Sequence, residues 1–140
     1  MYTELKGMKV LLVEDNEMNR QITKEILEAY GIEVYEAEDG EIAVKMVKAS
    51  KRKPFDFILM DIMMPNMDGY EATIAIRNLD NKKLCDIPII AMTAAITQGD
   101  KIKALESGMN AHLSKPVDIP ELLSTIQSVM TSYQNKEVEK

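Results

Sequence analysis

Short apolar runs alternate with longer stretches of helical period along this chain. The runs are Lys9–Val13, Glu33–Ala37, Phe55–Met60, Ile87–Met92 and Ala111–Leu113. Between and after them lie Glu17–Tyr30, Glu41–Ser50, Tyr70–Asn78, Gln98–Ser107 and Ile119–Tyr133. In the last of these, Ile119, Leu122, Leu123, Ile126, Val129, Met130 and Tyr133 fall on one helical stripe. Asp118 and Glu121 have capping-box spacing at its start, and Pro120 is tolerated in a first turn. Asp68 with Glu71, and Thr97 with Asp100, repeat that spacing ahead of the third and fourth helices. Gly31 and Gly108 sit where a helix end needs a left-handed residue. Strand then helix, five times over, predicts a parallel sheet covered by helices on both faces.

The strands also sort by environment. Val10–Val13, Phe57–Met60 and Ile89–Met92 are almost wholly apolar, as strands covered on both faces must be. Ile32–Ala37 and Ala111–Ser114 alternate instead, which suits sheet edges. With right-handed crossovers the order becomes 2-1-3-4-5, the flavodoxin-like (βα)5 three-layer α/β sandwich. The expected domain covers residues 8–133. Residues 1–7 and 134–140 are polar and are expected to be flexible tails.

Composition narrows the class. The chain has 140 residues, 46% of them hydrophobic and 29% charged, the balance of a soluble globular domain. Cys85 is the single cysteine, so there is no internal disulfide and no thiolate cluster for zinc. That fits a reducing compartment, and a cytoplasmic location is expected. Apolar runs such as Val10–Val13 are far short of a membrane span, the start of the chain does not resemble a signal peptide, and no direct membrane contact is expected. The net charge of −6, without a basic stripe, argues against nucleic acid as a partner and is accounted for by solubility.

Candidate chemistry follows from where the buried runs stop. In an open α/β sheet the ligand crevice lies at the carboxyl ends of the strands. Strand one stops at Glu14-Asp15, strand three at Asp61, strand four at Thr93, and strand five at Ser114-Lys115-Pro116. Strands one and three are expected to be neighbours about 4.8 Å apart, so three carboxylates crowd together. Such a cluster needs a cation or a shared proton. An oxygen-only set with open positions suits Mg²⁺. Lys115 starts roughly 10 Å away across the sheet, a distance only a long flexible side chain can bridge. As a cation beside a metal-bound carboxylate it completes a phosphate site. After Asp61 the chain turns at Pro65 and enters a helix at Asp68-Gly69; the methionines between are best explained by packing.

Taken together, Glu14-Asp15, Asp61 with Met64-Pro65 and Asp68-Gly69, Ala91-Met92-Thr93-Ala94 and Ser114-Lys115-Pro116 resemble the receiver domains of two-component systems, in order and from about Met8 to Tyr133. The resemblance implies a phosphoacceptor role for Asp61, with a phosphohistidine as donor. It implies Mg²⁺ (Mn²⁺ by the same chemistry) held by Asp15, Asp61 and the Met63 backbone carbonyl, with Glu14 assisting. Lys115 is implied to pair with the phosphoryl group, with a cis Lys115–Pro116 bond, and Thr93 to swing to a phosphoryl oxygen. His112 holds the position where relatives usually carry Tyr or Phe, and two readings stand, a rotamer switch and a plain surface histidine. The surface implied to shift is the fourth long helix, fifth strand and last helix, roughly residues 98–133. Implied partners are the dimerisation domain of a histidine kinase or a histidine phosphotransfer domain, with a phosphorylation-dependent homodimer as a further expectation.

Glu14-Asp15-Asn16-Glu17-Met18-Asn19-Arg20, with Gln98-Gly99-Asp100 after Thr93, resembles receivers fused to hybrid sensor histidine kinases, a stand-alone regulator being the alternative. Met63 and Ala95 flank the site where polar residues in relatives position water, so slow loss of the phosphoryl group is expected. Two readings from other classes are weaker. An aspartate-nucleophile phosphatase wants a second acid two residues after Asp61, where Met63 cannot protonate a leaving group. A flavodoxin-like nucleotide binder wants a Gly- and Ser/Thr-rich loop after strand one, whereas Glu14-Asp15-Asn16-Glu17 repels phosphate without a metal.

Overall fold

The three apolar runs lie at the centre of a five-stranded parallel sheet in the computed structural model, which describes residues 5–94 and 97–139, with side chains as far as Tyr133. In chain order the elements are β1 (Lys9–Val13), α1 (Glu17–Ala29), β2 (Glu33–Ala37), α2 (Gly40–Ala49), β3 (Phe57–Asp61), α3 (Gly69–Arg77), α4 (Lys82–Cys85), β4 (Ile89–Thr93), α5 (Gln98–Ser107), β5 (Ala111–Ser114) and α6 (Ile119–Glu139). The strand order is β2-β1-β3-β4-β5, as the sequence pattern predicts.

Alternation along each strand splits the core in two. Leu11, Val13, Ile58, Met60, Ile89 and Ala91 face α2, α3 and α5, and pack with Val44, Val47, Ile76 and Ala104. Val10, Leu12, Phe57, Leu59, Ile90 and Met92 face the other way, against Leu27 of α1 and Leu122 and Ile126 of α6. The expected capping boxes at Asp68–Glu71 and Thr97–Asp100 are both complete. At α6, Asp118 accepts from the Glu121 N–H at 3.1 Å. Gly31 (φ +82°) and Gly108 (φ +108°) are left-handed, as expected.

Several boundaries differ from expectation. β3 starts at Phe57 rather than Phe55 and includes Asp61. Asp56 is tied to the start of β1 instead, its carboxylate accepting the Lys9 N–H at 2.7 Å. β4 begins at Ile89 rather than Ile87, because Pro88 has no N–H to give the ladder, and it includes Thr93. The single-turn α4, capped by Asn81 and burying Leu84, was not expected. Described contacts and helix continue beyond residues 8–133 at both ends. Leu5 is 1% exposed in the core and the Gly7 N–H donates to the Gly31 carbonyl, while α6 continues past Tyr133 to Glu139. Among the described residues, no helix is long and apolar enough to cross a membrane.

Candidate functional site

Parallel register brings the ends of β1, β3, β4 and β5 to one edge: Val13 pairs with Met60, Asp61 with Met92, and Thr93 with Ser114. Glu14 and Asp15 follow β1 directly, and Asp61 is the last residue of β3. One carboxylate oxygen from each of Glu14, Asp15 and Asp61 lies within 4.8 Å of the others. Glu14 and Asp61 are buried and Asp15 is exposed, so the cluster opens to solvent on the Asp15 side. Gly69 lets α3 start against this edge. A side chain there would place its Cβ 2.5 Å from the Asp61 carbonyl oxygen, and the Gly69 N–H donates to the Ile62 carbonyl at 2.9 Å.

Lys115 does cross the sheet. Its Nζ lies 2.6 Å from Glu14 Oε1 and 3.1 Å from Asp61 Oδ1. The Lys115 N–H donates to the Thr93 carbonyl at 2.8 Å, which ties the segment after β5 to the end of β4. The Lys115–Pro116 bond is cis.

Charge is unevenly held among these groups. Burial, and then the charge of Glu14, push the Asp61 carboxyl up to about 7, and Lys115 offsets only part of this. Burial also raises Glu14, but hydrogen bonds from Lys115 and the Asn16 N–H outweigh it and leave Glu14 below the ordinary glutamate value. For Lys115, burial favours the neutral amine, yet its contacts with Glu14 and Asp61 win and raise it. Near neutral pH, Glu14–Lys115 is therefore an ion pair and Asp61 is poised between its two states. The donor set fits a hard divalent cation: oxygen ligands only, excess negative charge, and an open side for water.

The remaining expected residues fall as follows. Thr93 is buried at the end of β4, and His112 is half-buried on β5 opposite Ala91. Both line one small depression with Ile62, Asp100, Lys101 and Ala104. Met63 lies in the loop after β3 and is 75% exposed. Ala95 lies outside the described residues. Sequence reasoning assigned no role to Arg20, whose Nη1 donates to the Glu14 carbonyl at 2.9 Å. The nearest signal was its place in the run Glu14–Arg20.

Acids at the ends of the first and third strands, met by a lysine from the fifth on a 2-1-3-4-5 sheet, define the receiver class of α/β protein. The chain belongs to the response regulator receiver domain family, whose model matches residues 10–127. It is 42% identical over 133 residues to the Hybrid signal transduction histidine kinase I of Dictyostelium discoideum, covering 94% of this chain but 8% of that protein. With the Polar-differentiation response regulator DivK of Brucella anthropi it shares 36% identity over 121 residues, 86% of this chain and 94% of the relative. It is also similar to the crystal structure of the receiver domain of a sensor histidine kinase from Pseudomonas aeruginosa, which has a magnesium ion coordinated in its active-site cleft. That likeness has a TM-score of 0.75 and 38% identity, and covers 89% of this chain and 98% of the other.

Proposed function

We propose that Asp61 is the phosphoacceptor of this receiver, taking a phosphoryl group from a phosphohistidine. The observation that carries this reading is the convergence of Lys115 Nζ on Glu14 and Asp61 at 2.6 Å and 3.1 Å. An Asp61 carboxylate oxygen attacks phosphorus, a P–O bond forms, and the P–N bond to the donor imidazole breaks. The product is an aspartyl phosphate, and the leaving imidazole takes up a proton. The transfer needs positioning and charge neutralisation more than covalent help. Lys115 stands where its ammonium can follow the charge from the free carboxylate to the phosphoryl oxygens. Asp15, Asp61 and the Met63 carbonyl hold Mg²⁺ (or Mn²⁺), with Glu14 assisting. When bound, the cation neutralises charge on the transferring group.

The depression shared by Thr93 and His112 supports a readout through these two residues. The Thr93 hydroxyl donates to a phosphoryl oxygen, His112 adjusts to the space left, and the surface of α5, β5 and α6 shifts in population. The domain proper is residues 8–133, with Leu5 packed into its core, working in the cytoplasm, with a histidine kinase dimerisation domain or a histidine phosphotransfer domain as donor. A phosphorylation-dependent homodimer belongs to the same reading. The Dictyostelium similarity supports an origin in a hybrid histidine kinase. The coverage of nearly all of DivK supports a stand-alone regulator.

Beyond self-phosphorylation from small donors and slow loss of the phosphoryl group, this chain carries no catalysis of its own. Exposed, apolar Met63 gives attacking water nothing to bond. The test is Mg²⁺ with a small phosphodonor or beryllofluoride. One phosphoryl mass is expected on the wild type, persisting well beyond seconds, and none on Asp61→Asn. Folded wild-type protein that neither gains mass nor binds beryllofluoride overturns the proposal.

A further inference from the structure

Of the seven residues Glu14-Asp15-Asn16-Glu17-Met18-Asn19-Arg20, only the first two take part in the chemistry above. The others do local work around them. Asn16 donates its N–H to Glu14 Oε2 at 3.1 Å, and its own side chain accepts the Asn19 N–H at 2.9 Å to start α1. Arg20, one turn into that helix, reaches back. Its Nη1 donates to the Glu14 carbonyl at 2.9 Å, and its Nε pairs with Glu36 Oε1 of β2 at 3.1 Å. The Arg20 side chain is 12% exposed, and the other Glu36 oxygen is held by Lys24 at 3.2 Å. On the preceding peptide, the Glu14 N–H donates to the Ala37 carbonyl at 3.1 Å. The peptide groups of Glu14 are thus held from both sides, at the point where the chain leaves β1 and presents Asp15.

We propose that Arg20, seated on Glu36, is a positioning residue for the divalent-cation site. It fixes the Glu14–Asp15 backbone so that both carboxylates approach the cation from a set direction. The inference rests on the metal-site reading given above. An arginine suits the task because its planar fork serves two acceptors at once, which a lysine ammonium does with far less directional control. Removing such a supporting group typically weakens metal binding by about 10- to 100-fold.

Coulomb's law alone makes the opposite forecast. Arg20 is a cation next to an acidic cluster, so deleting its charge should tighten Mg²⁺ binding. The sign of the change therefore separates positioning from bulk electrostatics. The experiment titrates the full unphosphorylated chain with Mg²⁺ by calorimetry, for the wild type, Arg20→Met, Arg20→Lys and Lys24→Met. The Mg²⁺ dependence of phosphorylation by a small phosphodonor is measured alongside. Arg20→Met is expected to weaken Mg²⁺ about tenfold or more, with a smaller loss for Arg20→Lys and less than about a twofold change for Lys24→Met. The Mg²⁺ needed for half-maximal phosphorylation rises in step, while the rate at saturating Mg²⁺ is preserved. Folded Arg20→Met that binds Mg²⁺ as tightly as the wild type, or more tightly, overturns the inference. If Arg20→Met does not fold, Arg20→Lys decides, since it keeps the charge and an unchanged affinity overturns the inference equally. Wild-type protein that binds no Mg²⁺ would instead overturn the metal-site reading on which this one stands.

Discussion

At Asp61, two demands pull against one another. A phosphoacceptor must be ionised to attack, yet burial and Glu14 lift this carboxyl to about 7. A carboxyl whose native pKa exceeds its unfolded value binds its proton more tightly when folded. Its stabilising contribution is therefore complete at acid pH and is lost as pH climbs from about 4 to about 7. Glu14, held low, works in the opposite sense, contributing above its ordinary range and losing that contribution as pH falls below it. In chelator, Asp61→Asn should remove the downward slope between pH 4.5 and 7.5 and raise stability at the upper end. The gain is on the order of 1–2 kcal/mol, solvent at the open rim screening the rest. A melting temperature at pH 7.5 no higher than the wild type's would contradict this. Tyr70 of α3 makes a second case. Its hydroxyl is buried and is the one buried side-chain polar atom without a hydrogen-bond partner among the described residues, while Lys103 Nζ sits 4.6 Å from the ring centroid. Tyr70→Phe removes an unmet donor at little cost in packing, so urea unfolding should show a gain of about 1 kcal/mol.

Between elements, Arg77 does what no local signal announces. From the last turn of α3 it donates to the carbonyls of Cys85 and Ile87 at 2.7 Å each, to that of Gly108 at 3.0 Å, and to Asn110 Oδ1 at 2.9 Å. One guanidinium thereby joins α3, α4, the entry to β4 and the end of α5. Gly108 makes room for it, since a Cβ there would lie 2.9 Å from Arg77 Cγ. Arg77→Met should cost about 2–4 kcal/mol in chemical denaturation, because it leaves several partly buried acceptors without a donor. Whether a feature shows in the sequence depends on whether its partners are near or far along the chain. Strands and long helices were legible because burial imposes a period on them. The rim acids, Thr93 and Lys115 were legible because they stand where apolar runs stop. The single turn of α4 is too short to show a period. Arg20 and Arg77 act on partners such as Glu36, sixteen residues away, and Gly108, thirty-one away, which no pattern within one helix can name.

For the molecule as a whole, topology does the assembling. The strand order puts β1 and β3 side by side and sends β5 to the edge, so the acids come from the centre of the sheet and their counter-cation from its outermost strand. Lys115 follows the last strand in the chain and reaches Glu14, which follows the first. A copy in which β5 has not yet docked holds its acids with nothing opposite them. The site is thus complete only when the first and last strands are both seated in the sheet, so its geometry reports on the closure of the whole fold.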